Sequence, residues 1–209
     1  KALLTEAVAI GNATARSILF GPKDPKNYIY PGKAGYWQTG FPGGSHEYLV
    51  NKGNGGRDMD GRTLFFYLAT VNTPAMALEI PGVGSQYAFS SRDGSGAYLN
   101  GSNTYKLNIP ANPPAQKFWS FVVYDPQTRS MLQTGEMPYP SKNNKRNADM
   151  VKNADGSIDL YFGPQAPAGM EVNWVKTVPG KGWFGIFRLY GPGQEWFDRT
   201  WKLGDIEKV

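Results

Sequence analysis

One arginine interrupts a strand pattern that is otherwise largely apolar on both faces. Alternation along residues 183–190 places Trp183, Gly185, Phe187 and Leu189 on one face of the strand, and Phe184, Ile186, Arg188 and Tyr190 on the other. A buried guanidinium either anchors a ligand carboxylate, phosphate or sugar hydroxyl pair, or belongs to a structural ion pair. Because buried charges need partners, we predict that Arg188 pairs with one of three carboxylates, Asp125, Asp159 or Asp198. Breaking such a pair costs about 3–5 kcal/mol.

Aromatic residues crowd the long loop that follows residue 20. Tyr28, Tyr30, Tyr36 and Trp37 belong to no periodic element there. Aromatic faces in such a loop hold sugars or flat organic ligands, and tyrosine hydroxyls add hydrogen bonds. Alternatively, the rings anchor the loop on the core. The predicted ligand-binding residues are Tyr30, Trp37, Tyr67 and Arg188.

The candidate catalytic residues lie in two neighbouring loops. His46 is the single histidine, and Ser45 beside it lacks the G-x-S-x-G setting of a nucleophilic serine. Hydrolysis of a glycosidic bond needs two carboxylates at a defined separation, and Glu47, Asp58 and Asp60 are close in sequence. Asp60 has an alternative role as a helix cap paired with Arg62 or Arg16. The catalytic candidates are therefore His46, Glu47, Asp60 and Arg62.

The sequence contains no complete metal-binding or cofactor-binding motif. The chain has no cysteine, which excludes thiolate nucleophiles and cysteine metal sites. Residues 58–61, DMDG, resemble part of a calcium loop, but its first and twelfth ligand positions would be Gly56 and Tyr67. No glycine cluster has the phosphate or dinucleotide fingerprint. We therefore predict no metal and no cofactor.

The charge and hydropathy patterns argue against two kinds of partner, nucleic acid and a lipid bilayer. The formal net charge is +5, yet the basic residues are scattered except for SKNNKR at 141–146. Pro138 and Pro140 precede this asparagine-rich cluster, so we interpret it as a solvated loop and predict no nucleic-acid partner. No apolar run reaches the ~18 residues that a membrane helix needs, and we predict no membrane span.

The elements that position these residues are mainly strands. Residues 1–20 have the pattern of an amphipathic helix, and a second helix is predicted within 60–73. From residue 84 onward, short alternating runs are separated by Asp-Gly and Asn-Gly turns. We predict a mainly β protein with a few helices: an antiparallel, jelly-roll-like β-sandwich with helical segments on its N-terminal side.

Several of these segments resemble a known two-domain family. The runs GSQYAFSSRDGSGAYLNG, FWSFVVYDPQTRSMLQT, NADGSIDLYFGP and WFGIFRLYGP resemble domain of unknown function 1214, and ARSILFGPKDPKNYIYPG, GGSHEY and DGRTLFFYLATVNTPAM resemble the end of domain 1254. The resemblance implies a division into residues 1–83 and 84–209. It also implies an extracytoplasmic (periplasmic or secreted) protein. Most of the family's first domain is absent from these residues, so we expect a proteolytic fragment whose other part stays bound as a second chain. A homo-oligomer is a further predicted partner.

Three functions remain open from the sequence. The first is a binding module whose aromatic groove holds a glycan or a small organic ligand. The second is a hydrolase of glycosidic or ester bonds that uses Asp or Glu with Arg, and the third is a structural or particle-associated assembly protein. A deep pocket joining Trp37, His46, Asp60 and Arg62 would favour the enzyme, whereas a shallow aromatic groove would favour binding.

Overall fold

The structure is a computed structural model that describes residues 1–22, 24–30, 35–69 and 71–209, without the side chain of Lys52. It divides into two units, which we call the N-terminal unit (Lys1–Pro31 with Thr39–Leu78) and the sandwich unit (Gly32–Gln38 with Glu79–Val209). The predicted domain division between residues 83 and 84 stays a prediction.

The N-terminal unit is helical. Its α-helices are α1 (Ala2–Phe20), α2 (Met59–Leu68) and α3 (Pro74–Ala77), and short 3₁₀ turns cover Pro25–Asn27, Pro42–Gly44 and Asn51–Gly53. The first fourteen residues of the chain are all exposed, and burial along α1 is confined to Leu19 and Phe20. None of the helices in the described ranges combines the length and the apolar character that crossing a bilayer requires.

An aromatic cluster stabilises the N-terminal unit beside the start of α2. The buried rings of Phe41 and Phe65 lie 4.5 Å apart between centroids, and Tyr48 stacks on Phe41. The predicted cap of α2 is wrong: Asp58, not Asp60, accepts the hydrogen bond from Gly61 N–H, at 3.0 Å. Asp58 has the extended backbone of an N-cap, whereas Asp60 already lies in the first helical turn.

The sandwich unit contains eight strands. They are β1 (Ser85–Ser90), β2 (Tyr105–Ile109), β3 (Ala115–Tyr124), β4 (Ser141–Asn143), β5 (Ile158–Gly163), β6 (Trp174–Lys176), β7 (Phe184–Pro192) and β8 (Ile206–Lys208), with one short helix, α4 (Gln194–Phe197). One sheet has the order β1-β7-β3-β4, and the other has the order β6-β5-β2-β8. Every pairing is antiparallel except β5 with β6.

Aromatic rings fill the space between the two sheets. Phe121 of β3 lies 4.8 Å from Phe162 of β5, and Phe162 lies 5.1 Å from Trp183, which precedes β7. Gly185 leaves room for Phe121, since a Cβ there would lie 2.1 Å from its ring. The prediction of a β-sandwich is confirmed, although alternation alone did not reveal the parallel pair β5–β6.

Candidate functional site

The side of the first sheet that faces away from the aromatic core carries the predicted arginine. Strand register places Tyr87 of β1 and Ser120 of β3 on either side of Arg188, and Phe118 of β3 opposite Tyr190. We call this surface the Arg188 face and define it by six residues: Tyr87, Phe118, Ser120, Tyr124, Arg188 and Tyr190. All of them except Ser120 are partly exposed.

The guanidinium of Arg188 lies between two tyrosine rings. Its Cζ is 5.9 Å from the centroid of Tyr87 and 5.7 Å from that of Tyr124. One Nη donates a hydrogen bond of 2.6 Å to the Tyr124 hydroxyl. Its Nε is a buried donor with no partner among the residues that the structure describes. The cation is therefore oriented by aromatic contacts and only partly satisfied by hydrogen bonds.

The predicted ion pair of Arg188 is wrong. Each of the three expected carboxylates has a partner elsewhere: Asp125 pairs with Lys181 at 3.1 Å, Asp159 accepts from Asn108 at 2.7 Å, and Asp198 accepts from the Thr200 hydroxyl at 2.7 Å. No ion pair joins Arg188 to any carboxylate in the described part of the chain. The carboxylates of Asp125 and Asp198 also accept hydrogen bonds from backbone N–H groups of their own turns.

A stacked ring pair lies next to the guanidinium on the same face. Phe118 and Tyr190 are parallel within 14°, with centroids 4.0 Å apart. The ammonium of Lys145 is 5.4 Å from the Phe118 centroid. The Arg188 face therefore combines flat apolar surface, tyrosine hydroxyls and positive charge. This combination suits a ring-shaped ligand with an electron-rich polar group.

The other predicted ligand-binding residues are not among the six that define the Arg188 face. Trp37 is 1% exposed, packs edge-on against Phe121, and donates from Nε1 to the Gly204 carbonyl at 2.9 Å. It therefore faces the core, on the opposite side of the sheet from Arg188. Tyr30 and Tyr67 are partly buried in the N-terminal unit.

The catalytic candidates are also dispersed within the N-terminal unit. His46 and Glu47 occupy an exposed turn, and Arg62 lies over the ring of Phe66. Asp60 borders a cavity of about 340 Å³ whose other polar lining residues include Asp24, Lys26 and Asp58. Of the four residues whose shared pocket would have favoured an enzyme, only Asp60 lines this cavity.

Lys26 closes one side of that cavity. Its ammonium bridges Asp24 at 2.8 Å and Asp58 at 3.0 Å. The hydrogen bond between Lys26 and Asp24 lowers the pKa of Asp24 and raises that of Lys26. The charges are thus mutually satisfied, and the cluster is explained by the cap of α2 and the turn at residues 24–27.

A second cavity, which sequence reasoning missed, lies in the sandwich unit. Its volume is about 330 Å³, and it is lined by Asp93, Gly94, Ser95, Asp205, Glu207 and Lys208. Asp93 accepts three hydrogen bonds within its own turn, from the N–H groups of Ser95 and Ala97 and from the Ser95 hydroxyl. Burial, with a smaller effect of the Glu207 charge, raises the pKa of Asp205. The Asp-Gly turn was visible in the sequence, but its approach to residue 205 was not.

The sequence of the sandwich unit decides the family. Residues 84–194, which are more than half of the 209 residues, match the family described as Protein of unknown function (DUF1214). The chain belongs to the DUF1214 family. The resemblance of residues 84–209 to domain 1214 is therefore confirmed over 84–194, whereas the resemblance to domain 1254 stays a prediction.

A solved structure shares the fold of this DUF1214 protein, and a second one has a weaker likeness to it. The VPA0106 protein from Vibrio parahaemolyticus has a TM-score of 0.55 at 23% identity, covering 78% of this chain and 39% of that chain. A putative uncharacterised protein from Burkholderia cenocepacia has a TM-score of 0.37 at 21% identity, covering 60% and 29%. The DUF1214 chain thus spans less than half of either solved chain. No curated protein matches it.

Proposed function

We propose that this DUF1214 protein is a binding module that holds a glycan unit or a small organic ligand on the Arg188 face. One observation carries the proposal: a guanidinium lies between the rings of Tyr87 and Tyr124 without a carboxylate partner in the described chain. Charged groups that are removed from water are normally paired, and the Nε of Arg188 is buried without a partner in the described part of the chain. An arginine that is held in place but left without a counter-charge is suited to recognition.

The surroundings of Arg188 support recognition of a ring. Phe118 and Tyr190 form a continuous flat surface, on which a sugar or an aromatic ring loses water at little conformational cost. The sheet fixes these side chains through strand register, so the surface is formed before a ligand arrives. A rigid aromatic face with a few polar groups is the usual composition of a small-ligand site.

A binding screen tests this proposal. Saturation-transfer NMR with mixtures of oligosaccharides and small aromatic compounds should identify at least one ligand. Tyr190→Ala removes half of the stacked pair and should abolish its signal. Tyr139→Ala is the control, because Tyr139 is an exposed tyrosine that contacts Arg146 rather than Arg188. A Tyr190→Ala protein that keeps both its fold and every ligand signal would contradict a binding role for this face.

A second candidate function, hydrolysis, is favoured by the cavity beside β8. Asp205 has a raised pKa, and Glu207 lies in the same cavity. A carboxyl group that stays protonated can donate its proton to a glycosidic or ester oxygen, while an ionised carboxylate accepts a proton from water. Two carboxyl groups that flank the scissile bond perform this chemistry in glycosidases.

Hydrolysis of chromogenic glycosides and esters tests the second function. If Asp205 is the acid, the rate should fall as the pH rises through its raised pKa, because the proton to be donated is lost. Asp205→Asn should lose at least about a hundredfold in rate, whereas Asp198→Asn, in a different exposed turn, should not. Equal rates for the two variants would exclude the cavity as the hydrolytic site.

A further inference from the structure

We propose that the ligand of the Arg188 face is an organic carboxylate carried on a ring, and that the ligand supplies the negative charge that the chain does not. This inference rests on the proposed binding function and specifies its ligand. It follows from the electrostatic balance of the face, from the hydrogen-bond donors of Arg188, and from the ring surface beside them.

The charged side chains described at the Arg188 face, Arg188 and Lys145, are both positive. None of the six residues of the Arg188 face is acidic, and Lys145 adds a second positive charge beside Phe118. Two other carboxylates of the sandwich unit are paired with lysines, Asp125 with Lys181 and Glu136 with Lys176. A partly desolvated surface of one sign raises the local concentration of the opposite charge. An anion is therefore attracted to this face, and a cation is repelled.

The donors of Arg188 specify the kind of anion. A guanidinium has five N–H donors in one plane, and the described contacts account for one bond, to Tyr124. Its unpartnered Nε costs free energy in the unliganded protein. A carboxylate accepts two parallel N–H bonds from one guanidinium. A phosphate group is usually held by several donors, such as a glycine loop at the start of a helix, and this sheet face has no such loop.

The aromatic surface specifies what the carboxylate is attached to. The Phe118–Tyr190 pair neighbours Arg188 through Ser120, which is opposite Arg188 in the register. A ligand that bonds to the guanidinium therefore places its adjacent ring over the stacked pair or over Tyr87. Two sources share this chemistry: a uronic acid of an acidic glycan, and an aromatic acid. A free small carboxylate such as acetate has the charge but no ring.

Isothermal titration calorimetry with matched pairs of compounds tests this inference. The acidic probes are tri-galacturonate and 2-naphthoate, and their neutral counterparts are galactotriose and 2-naphthamide. At least one acidic probe should bind at least about tenfold more tightly than its neutral counterpart. Its affinity should fall as salt is raised, because the attraction is partly screened. The probe that binds identifies the source of the carboxylate.

Three variants assign the effect to the guanidinium. Arg188→Gln should weaken the acidic probe at least about tenfold and leave the neutral compound unchanged. Arg188→Lys keeps the charge but loses the planar fork, so it should recover only part of the affinity. Arg146→Gln is the matched control: this exposed arginine also lies over a tyrosine and bonds to a hydroxyl, and its loss removes the same charge. Circular dichroism verifies that each variant is folded.

The outcomes separate this inference from the proposed function. If galactotriose or 2-naphthamide binds as tightly as its acid, and Arg188→Gln changes nothing while Tyr190→Ala abolishes binding, the face is a binding site but the carboxylate inference is wrong. If no probe binds at millimolar concentration, both proposals are contradicted. Loss of the acidic probe in Arg146→Gln to the same extent as in Arg188→Gln would reduce the effect to net charge and overturn the inference.

Discussion

The two faces of strand β7 show how one run of alternating residues serves two purposes. On the inner face, Phe187 and Leu189 are 0% exposed and pack within the aromatic core. On the outer face, Arg188 and Tyr190 are partly exposed and held by rings from β1 and β3. The inner face is closed by tight packing, whereas the outer face keeps a positioned cation without a counter-charge. On the proposed binding function, the packed inner face would hold the side chains of the outer face in place for a ligand.

The same sheet carries a second buried or partly buried cation, Lys142. The solvated loop predicted at 141–146 is wrong at its start, where Ser141–Asn143 form β4. Lys142 of β4 is opposite Phe121 in the register, so it lies on the inner side of the same sheet. It is 8% exposed, and burial lowers its pKa. Lys142 is thus a cation whose burial costs stability, whereas Arg188 retains aromatic contacts and an opening towards solvent. The following four variants test the difference between the two faces.

The largest effect is expected for Phe187→Ala. Phe187 is fully buried and contacts the rings of Trp119 and Trp201. Removing this ring should lower the free energy of unfolding by about 3–5 kcal/mol, as measured by urea denaturation. Tyr190→Ala on the outer face is the control and should cost less. Equal losses at the two positions would contradict the distinction between the faces.

Gly185→Ala should have the next largest effect. The new Cβ would lie 2.1 Å from the Phe121 ring, which is itself fully buried. The ring must move inside a packed core, which should cost about 1–3 kcal/mol. The melting temperature and the denaturation midpoint should both fall. An unchanged midpoint would mean that the two sheets are less tightly packed than described.

Lys142→Met should stabilise the protein at neutral pH by about 1 kcal/mol, because it removes a buried ammonium. The pKa of Lys142 is lowered in the folded protein, so the unfolded chain binds more protons between that value and 10.5. Parent stability should therefore rise with pH through this window, and the advantage of the methionine variant should shrink. Thermal melts at several pH values measure this. Lys145→Met, three residues away and exposed, should show no such trend.

The smallest effect on stability is expected for Arg188→Gln. The sequence predicted a loss of about 3–5 kcal/mol from a broken buried pair, but the structure contains no such pair. The lost bond to Tyr124 and the cation–π contacts are offset by removal of the unpartnered Nε, so the change should stay within about 1 kcal/mol. Chemical denaturation decides between the two values. A loss near the larger value would indicate a hidden structural partner.

Local patterns explain what the sequence could and could not predict. Period-two alternation identified the faces of β7, because side chains of a strand must alternate. Pairing of Arg188 could not be predicted, since the turns at Asp125 and Asp198 compete for the same carboxylates. Similarly, Trp37 was predicted as a ligand platform, but its indole N–H bonds to Gly204, 167 positions along the chain.

The predictions about the surroundings of the chain remain predictions. They concern an extracytoplasmic location, an upstream part bound as a second chain, and a homo-oligomer. These properties depend on contacts with other molecules or on sequence beyond these 209 residues. The aromatic and electrostatic features of the Arg188 face, in contrast, lie within the sandwich unit and can be tested on this chain alone.

The most direct test of the central claim is the set of Nη–H signals of the Arg188 guanidinium in a ¹H–¹⁵N NMR titration with the acidic probe that binds. We predict that these signals move downfield and become protected from exchange with water as the carboxylate accepts hydrogen bonds from them, while the corresponding signals of Arg146 stay unchanged. A saturating carboxylate that leaves the Arg188 signals in place would contradict the claim that this guanidinium receives its counter-charge from a ligand.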